Sequence, residues 1–232
     1  MMRRNGLLVL FIVAVVTILG QIGKQNFRNI GLCEIQTIED MEKYSFRFES
    51  VEDEADLADY KQYEAYYVDA YEEMENILVA EPTGKYRMGN SCGMQEVLVK
   101  EVIRGEKELA GELVWIDDMP GFSYNSKKKK IKVDTFLNCM QKNNTYLIFC
   151  NGYGPITLEP NSGCSKYYVT DCFWGYLNLT KQKATGGIVT TKDKYTFWEL
   201  KECEFFGTCQ EVLDYKQKIK QQLIEKYYNP SV

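Results

Sequence analysis

The chain of 232 residues contains no histidine. Without an imidazole, nucleophiles activated by histidine and zinc hydrolases with histidine ligands are excluded within the chain. Proline is scarce, and the glycines Gly84, Gly89, Gly93, Gly152 and Gly154 are scattered through turns, forming no phosphate-cradling loop. No Cys-x-x-Cys pair occurs, which argues against a thioredoxin-like motif and against zinc knuckles. What the chain does carry is eight cysteines, a count suited to an oxidising compartment and to structural disulfides.

The segment Gly6–Gly20 is uncharged, follows Arg3 and Arg4, and gives way to Gln21, Lys24 and Arg28. Extended to Gly23, a helix of roughly 18 residues would reach roughly 27 Å, just under a hydrocarbon core of about 30 Å. No pair of small residues marks a cleavage site after the apolar run, so residues 1–23 read as an uncleaved signal anchor, the removed signal peptide of a secreted chain being the alternative. The arginine pair places the N-terminus in the cytoplasm and the rest of the chain outside, as a single-pass protein of the cell membrane.

Between Glu39 and Glu75 lie 14 acidic residues against Lys43, Arg47 and Lys61. With a formal net charge of −5, nucleic acid is not an expected partner. Residues 24–54 read as an acidic juxtamembrane linker. Leu57, Tyr60, Tyr63, Tyr67, Tyr71 and Met74 recur at steps of three and four, predicting an amphipathic helix over residues 55–75. It is laid against the domain with phenol hydroxyls at its edge, or forms a partner-binding aromatic stripe. Asp53, Glu54, Asp56 and Asp59 match no EF-hand spacing and read as a solvated helix start.

From Asn76 the texture turns to β. Strands are predicted at Ile77–Ala80, closed by a Glu81–Gly84 turn, and at Met94–Ile103, closed by Arg104-Gly105. Glu112–Ile116, Tyr146–Cys150, Lys166–Val169, Gly175–Leu179, Ile188-Val189 after a Gly186-Gly187 turn, and Tyr195–Leu200 follow. Asn125–Lys130 reads as a polar loop whose lysine run is a solvated tip or an anion site. Thr208 and Glu211 predict a capping box that starts a C-terminal helix with Val212, Tyr215, Ile219, Leu223 and Tyr227 on one face.

The run Tyr71–Gly84, then Gln95–Gly105, Glu112–Ile116 and Asn144–Phe149, resembles the OB-fold domain of netrin-like modules and tissue inhibitors of metalloproteinases. It is especially similar to uncharacterised secreted or anchored proteins of Gram-positive bacteria. The resemblance covers residues 71–151 and implies an OB-like five-stranded barrel; with the helices read from periodicity and the apolar N-terminal run, the expected fold is mainly β with flanking helices (α+β), the barrel carrying a C-terminal extension and preceded by one N-terminal transmembrane helix. On this reading residues 76–200 are the OB-like β domain and 201–232 a C-terminal helical segment. The family's metalloproteinase inhibitors use an N-terminal cysteine to chelate zinc, whereas Cys33 is internal here.

The cysteines are Cys33, Cys92, Cys139, Cys150, Cys164, Cys172, Cys203 and Cys209. Short loops make Cys203–Cys209 and Cys164–Cys172 the leading local disulfide candidates, with the full connectivity open. Asp117-Asp118 is the carboxylate pair a hydrolase would use, but neighbours in a strand point to opposite faces. Asn143-Asn-Thr145 and Asn178-Leu-Thr180 match the glycosylation sequon. The sequence therefore reads as a non-enzymatic extracytoplasmic binding or interaction module with no cofactor or metal, contacting the membrane through its N-terminal helix and a protein or cell-envelope ligand through its domain. A protease inhibitor, or a cell-envelope hydrolase using carboxylates, are the alternatives.

Overall fold

The computed structural model describes residues 35–88, 93–118, 121–125, 128–153, 167–170, 174–181 and 183–229. All belong to one compact unit, Cys33–Val232. The predicted membrane segment lies outside the described residues, among which no helix is long and apolar enough to cross a membrane.

The unit is mainly β with helices, an α+β architecture. In chain order it contains β1 (Ser45–Phe48), α1 (Glu54–Gln62), α2 (Glu64–Asp69), β2 (Asn76–Met88), β3 (Gly93–Arg104), β4 (Leu113–Asp118), β5 (Phe122–Asn125) and β6 (Lys130–Val133). Then come β7 (Tyr146–Tyr153), β8 (Tyr167–Val169), β9 (Tyr176–Asn178), β10 (Gly186–Ile188), β11 (Tyr195–Thr196), α3 (Phe197–Leu200), β12 (Phe205–Gly207) and α4 (Gln210–Tyr227). One sheet has the order β2-β3-β4-β8-β7-β9, and β2 also pairs β7, but no closed barrel is seen among the described residues. Its neighbours are antiparallel except β4 and β8, which run parallel with Trp115 opposite Tyr167. A second sheet has the order β11-β1-β6-β5, and β10 pairs β12 alone.

Two hydrophobic clusters fill the unit. The first joins the larger sheet (Leu78, Val97, Ile116, Leu147, Phe149) to the inward face of α4 (Leu213, Ile219, Leu223, Tyr227). The second gathers Ile38, Met41, Phe46, Phe48, Ile131, Phe197 and Phe206 around the four-stranded sheet. Strand alternation makes β12 a seam, with Phe205 in the first cluster and Phe206 in the second. The part of the expected linker from Ile35 to Phe48 is thus folded: a 3-10 turn at Glu39–Lys43, β1 and the residues flanking them bury Ile35, Ile38, Met41, Tyr44, Phe46 and Phe48.

Other expectations are corrected at particular residues. The predicted turn at Glu81–Gly84 is an irregularity inside one long strand: the β2–β3 register shifts between Pro82 and Tyr86, where a residue lacking an N–H is tolerated. Gly105 does end β3, with φ +108, and a Cβ there would lie 2.0 Å from Asn76 Oδ1. Gly186-Gly187 is strand, and the predicted strand Tyr195–Leu200 becomes helix after Thr196, whose N and Oγ1 both donate to Glu199 Oε2 at 2.7 and 2.8 Å. The tyrosine helix is broken at Tyr63 into α1 and α2, followed by a 3-10 turn at Ala70–Glu73. Tyr71 is buried and Tyr60 and Tyr67 half-buried, while Tyr63 is exposed. These helices pack on α4, Tyr60 stacking on Tyr215 at 6.4 Å and Lys218 pairing with Glu64 at 2.7 Å. Asp53 caps α1 in a capping box with Asp56, so this acidic group serves the helix start.

The start of α4 differs from expectation too. Cys209 is its N-cap, because Thr208 is drawn away: its N and Oγ1 donate to the Glu52 carbonyl at 3.0 and 3.1 Å. On the buried face Lys216 and Lys220 sit among the apolar residues. The Lys220 side chain is 0% exposed, and its Nζ donates to Glu204 Oε2 at 2.7 Å and to the Lys181 carbonyl at 2.9 Å. Glu204 Oε1 accepts from Asn178 N at 2.8 Å, which ties β9, β12 and α4 together. Burial pushes the Glu204 pKa up and the Lys220 pKa down, each opposed by the partner's charge.

Lys220→Met strands a carboxylate in the core and is expected to cost about 3–5 kcal/mol in urea unfolding. Adding Glu204→Gln, which keeps an acceptor for Asn178 N, is expected to recover more than half of that loss; a double variant as unstable as the sum of the singles would contradict this coupling.

Candidate functional site

The charged turn Glu39–Lys43, the loop before β7, the segment after β9 and α3 converge on one open cleft of about 410 Å³, within the range of ligand sites. Its walls carry Glu39, Glu42, Gln141, Asn144, Lys181 and Trp198, together with Lys142, Lys201 and Glu202.

Local sequence sets Trp198 at the mouth. Phe197 and Leu200 occupy one face of the single turn α3 and are buried, so the intervening Trp198 points outward, 58% exposed. Lys201 Nζ lies 4.0 Å from the centroid of its ring, a cation–π contact. Lys181 binds Glu202 at 3.0 Å, and this bond holds the Glu202 pKa below its ordinary value. An ionised Glu202 accepts hydrogen bonds and is poorly suited to act as a general acid.

Backbone contacts hold the walls. Asn178 Oδ1 accepts from Thr180 N and Lys181 N at 2.9 and 3.1 Å, and Thr145 N donates to Thr180 Oγ1 at 2.8 Å. Gln141 N donates to Tyr146 Oη at 2.8 Å, while its side-chain amide donates to the Cys139 carbonyl at 3.1 Å. Asp40 fixes the opposite turn: Lys43 beside it, with backbone donors from Gln36 and Thr37, lowers its pKa to about 2. The cleft therefore presents three lysines and three glutamates, two amides and one flat aromatic face, suiting a polar ligand without large net charge.

The sequence-predicted residues are distributed otherwise. Cys203 and Cys209 are free thiols, not the expected local bridge: β12 between them is extended and buried, with Cys203 Sγ near the Glu199 carbonyl at 3.9 Å and Cys209 heading α4. Burial raises the Cys203 pKa. Cys139 is buried beneath the cleft loop, its Sγ accepting from Gln141 Nε2 at 3.4 Å, and Cys150 is buried in β7 opposite Asn76. Cys33, Cys92, Cys164 and Cys172 lie outside the described residues. Asp117 and Asp118 are the last two residues of β4. Of the two sequons, Asn143 is exposed, whereas Asn178 is buried with its amide nitrogen 3.4 Å from Tyr146 Oη. Glu54, Cys209 and Glu211 bring potential ligand atoms within 4.8 Å of one another. They sit where α1 and α4 begin, and helix N-termini favour anions over a cation.

Sequence reasoning missed the cleft because its residues come from four distant segments, with Trp198 placed inside an expected strand. It also missed Lys216, whose Nζ donates to the Phe206 carbonyl at 2.6 Å, pairs with Glu52 and lies 4.1 Å from the Phe136 centroid. Its position four residues after Val212 was the available signal. Burial lowers its pKa to about 8. No family model, curated protein or solved structure matches the chain.

Two measurements check this geometry. Of the three tryptophans, Trp115 and Trp174 are 3% and 2% exposed, so iodide is expected to quench one emitting component, and Trp198→Phe to remove it. Lys216 is harder to protonate folded than unfolded, so its charge destabilises the fold below pH 8 and this penalty is relieved as pH rises toward the unfolded value. Between pH 7.5 and 9.5 wild type is expected to gain about 2 kcal/mol relative to Lys216→Met in urea unfolding; parallel pH profiles would contradict the buried-charge assignment.

Proposed function

We propose that the chain is a single-pass, membrane-anchored extracytoplasmic binding module whose cleft at Trp198 takes a cell-envelope oligosaccharide. The observation that carries this reading is the exposed indole at the mouth of a polar cleft. A large aromatic ring held in water has a hydration cost that a ligand with an apolar face removes. Sugar rings offer such a face together with hydroxyls for Gln141, Asn144 and the glutamates. The balance of lysines and glutamates is consistent with a ligand of little net charge.

The strand order supports the finer architectural reading. A ladder running β2-β3-β4-β8-β7 and back to β2, with a parallel β4–β8 pair, fits a partly open OB-like five-stranded barrel, and such barrels include oligosaccharide binders. The uncharged Gly6–Gly20 segment supports the anchor, and the cysteine count supports an oxidising compartment.

Isothermal titration of the detergent-extracted full chain with cell-wall oligosaccharide fragments is expected to give saturable binding that Trp198→Ala abolishes without changing the circular dichroism spectrum. Binding that survives Trp198→Ala would sink the cleft assignment. A non-reducing peptide map of the membrane-extracted chain is expected to retain the Met1 peptide and to contain at least one disulfide; eight free thiols would overturn the compartment.

A further inference from the structure

The four-stranded sheet carries a row of cations on its outer face. Strand β6 alternates Lys130, Ile131, Lys132 and Val133, burying the apolar pair and leaving the lysines outward. In the parallel neighbour β1, Arg47 is in register with Lys132 and is exposed between buried Phe46 and Phe48. Lys128 and Lys129 extend the row from the turn that enters β6, both exposed. Side chains two residues apart on one strand face are separated by about 6.6 Å, and neighbouring strands by about 4.8 Å, so Lys130, Lys132 and Arg47 form a narrow stripe, with Lys128 and Lys129 exposed at its end. None of them lines the Trp198 cleft.

The stripe is crowded with like charge. After desolvation, the largest influence lowering the Lys130 pKa is Arg47, with Lys128 and Lys132 acting in the same sense and Glu49 opposing them. Glu49 binds Lys132 at 3.2 Å, leaving the row with an excess of positive charge in a chain that is acidic as a whole. Folding therefore holds together charges that repel, an arrangement that a multivalent anion relieves. The row is narrow, which fits a linear polymer better than a planar bilayer. Tyr124 is in register with Ile131, on the inward face and turned to Tyr44 at 5.2 Å, so it offers the stripe no platform for base stacking.

We infer that the outer face of β1 and β6, through Arg47, Lys128, Lys129, Lys130 and Lys132, is a second binding site, for a linear phosphate-bearing polymer. The ligand is held by its charge spacing and releases counterions as it binds, so affinity falls steeply with salt.

The test uses the full chain in a non-ionic detergent with inorganic polyphosphate as the probe, titrated between 50 and 200 mM NaCl. With four to five contacts the log–log salt slope is expected near −3, roughly a 60-fold loss of affinity across that range. Lys130→Gln/Lys132→Gln is expected to weaken binding at least tenfold at the lowest salt and to reduce the slope by about 1.4. Lys100→Gln/Lys218→Gln, which removes the same charge elsewhere, is expected to leave affinity within twofold of wild type. Equal losses in the two double variants would overturn the site, since only net charge would then matter. No binding of polyphosphate, with capture by phosphatidylglycerol nanodiscs lost in Lys130→Gln/Lys132→Gln, would assign the stripe to a bilayer and overturn the polymer. Neither outcome depends on the Trp198 cleft, so failure here and failure of the oligosaccharide reading are separable.

Discussion

The carboxylate of Glu204 and the ammonium of Lys220 are removed from water together, and much of the molecule is arranged so that neither is left alone. Two lone pairs on Glu204 receive Asn178 N and Lys220 Nζ, and a further ammonium proton goes to the Lys181 carbonyl. The Glu204 backbone is used as well, its N donating to the Thr185 carbonyl and its O accepting from Asn138 N. Buried pairs of this kind add little net stability over an apolar filling, but they penalise every arrangement in which the partners are mismatched. Here the penalty fixes how α4 seats on the larger sheet. It also fixes Lys181, whose backbone is held by Lys220 and whose ammonium reaches the cleft wall at Glu202.

The acidic stretch that dominates the composition has a related explanation. Glu64, Asp69 and Glu72 on the tyrosine helices face Lys218 and Lys226 on α4, so part of this charge is neutralised by the chain itself. Exposed pairs of this sort contribute little energy each, and the attachment of the helices rests more on Tyr60, Tyr71 and Tyr227. Part of the remaining positive charge lies on the opposite type of surface, an open strand face. Composition alone averages these two regions into a mild net negative value and conceals both.

What could be read from sequence follows from the range of the forces involved. The strands β2, β3, β4 and β7 and the helix α4 were legible because apolar periodicity runs for many residues there and burial follows it. Strands β1, β5 and β6 were not, since four residues flanked by charge carry too little pattern to separate from a loop. The break at Tyr63 and the displaced start of α4 depend on tertiary partners, Tyr215 for the first helix and the Glu52 carbonyl for Thr208. Buried lysines escape any reading that assigns charge to the surface. Cys203 and Cys209 look adjacent along the chain, yet a buried strand holds them apart, and the cleft assembles residues whose only link is the fold.

The parallel pairing of Leu113–Asp118 with Tyr167–Val169 has a consequence in time. A chain emerging N-terminus first can form the antiparallel β2-β3-β4 run early, but the outer edge of β4 has no neighbour until Tyr167 arrives. Open edges of this kind invite pairing with other chains. Glu204, in turn, lacks the Lys220 ammonium until α4 follows. Arrest before α4 would thus release not a smaller version of the domain but a sheet with an uncovered edge and a core carboxylate still needing water, and α4 acts as the checkpoint for the strands before it.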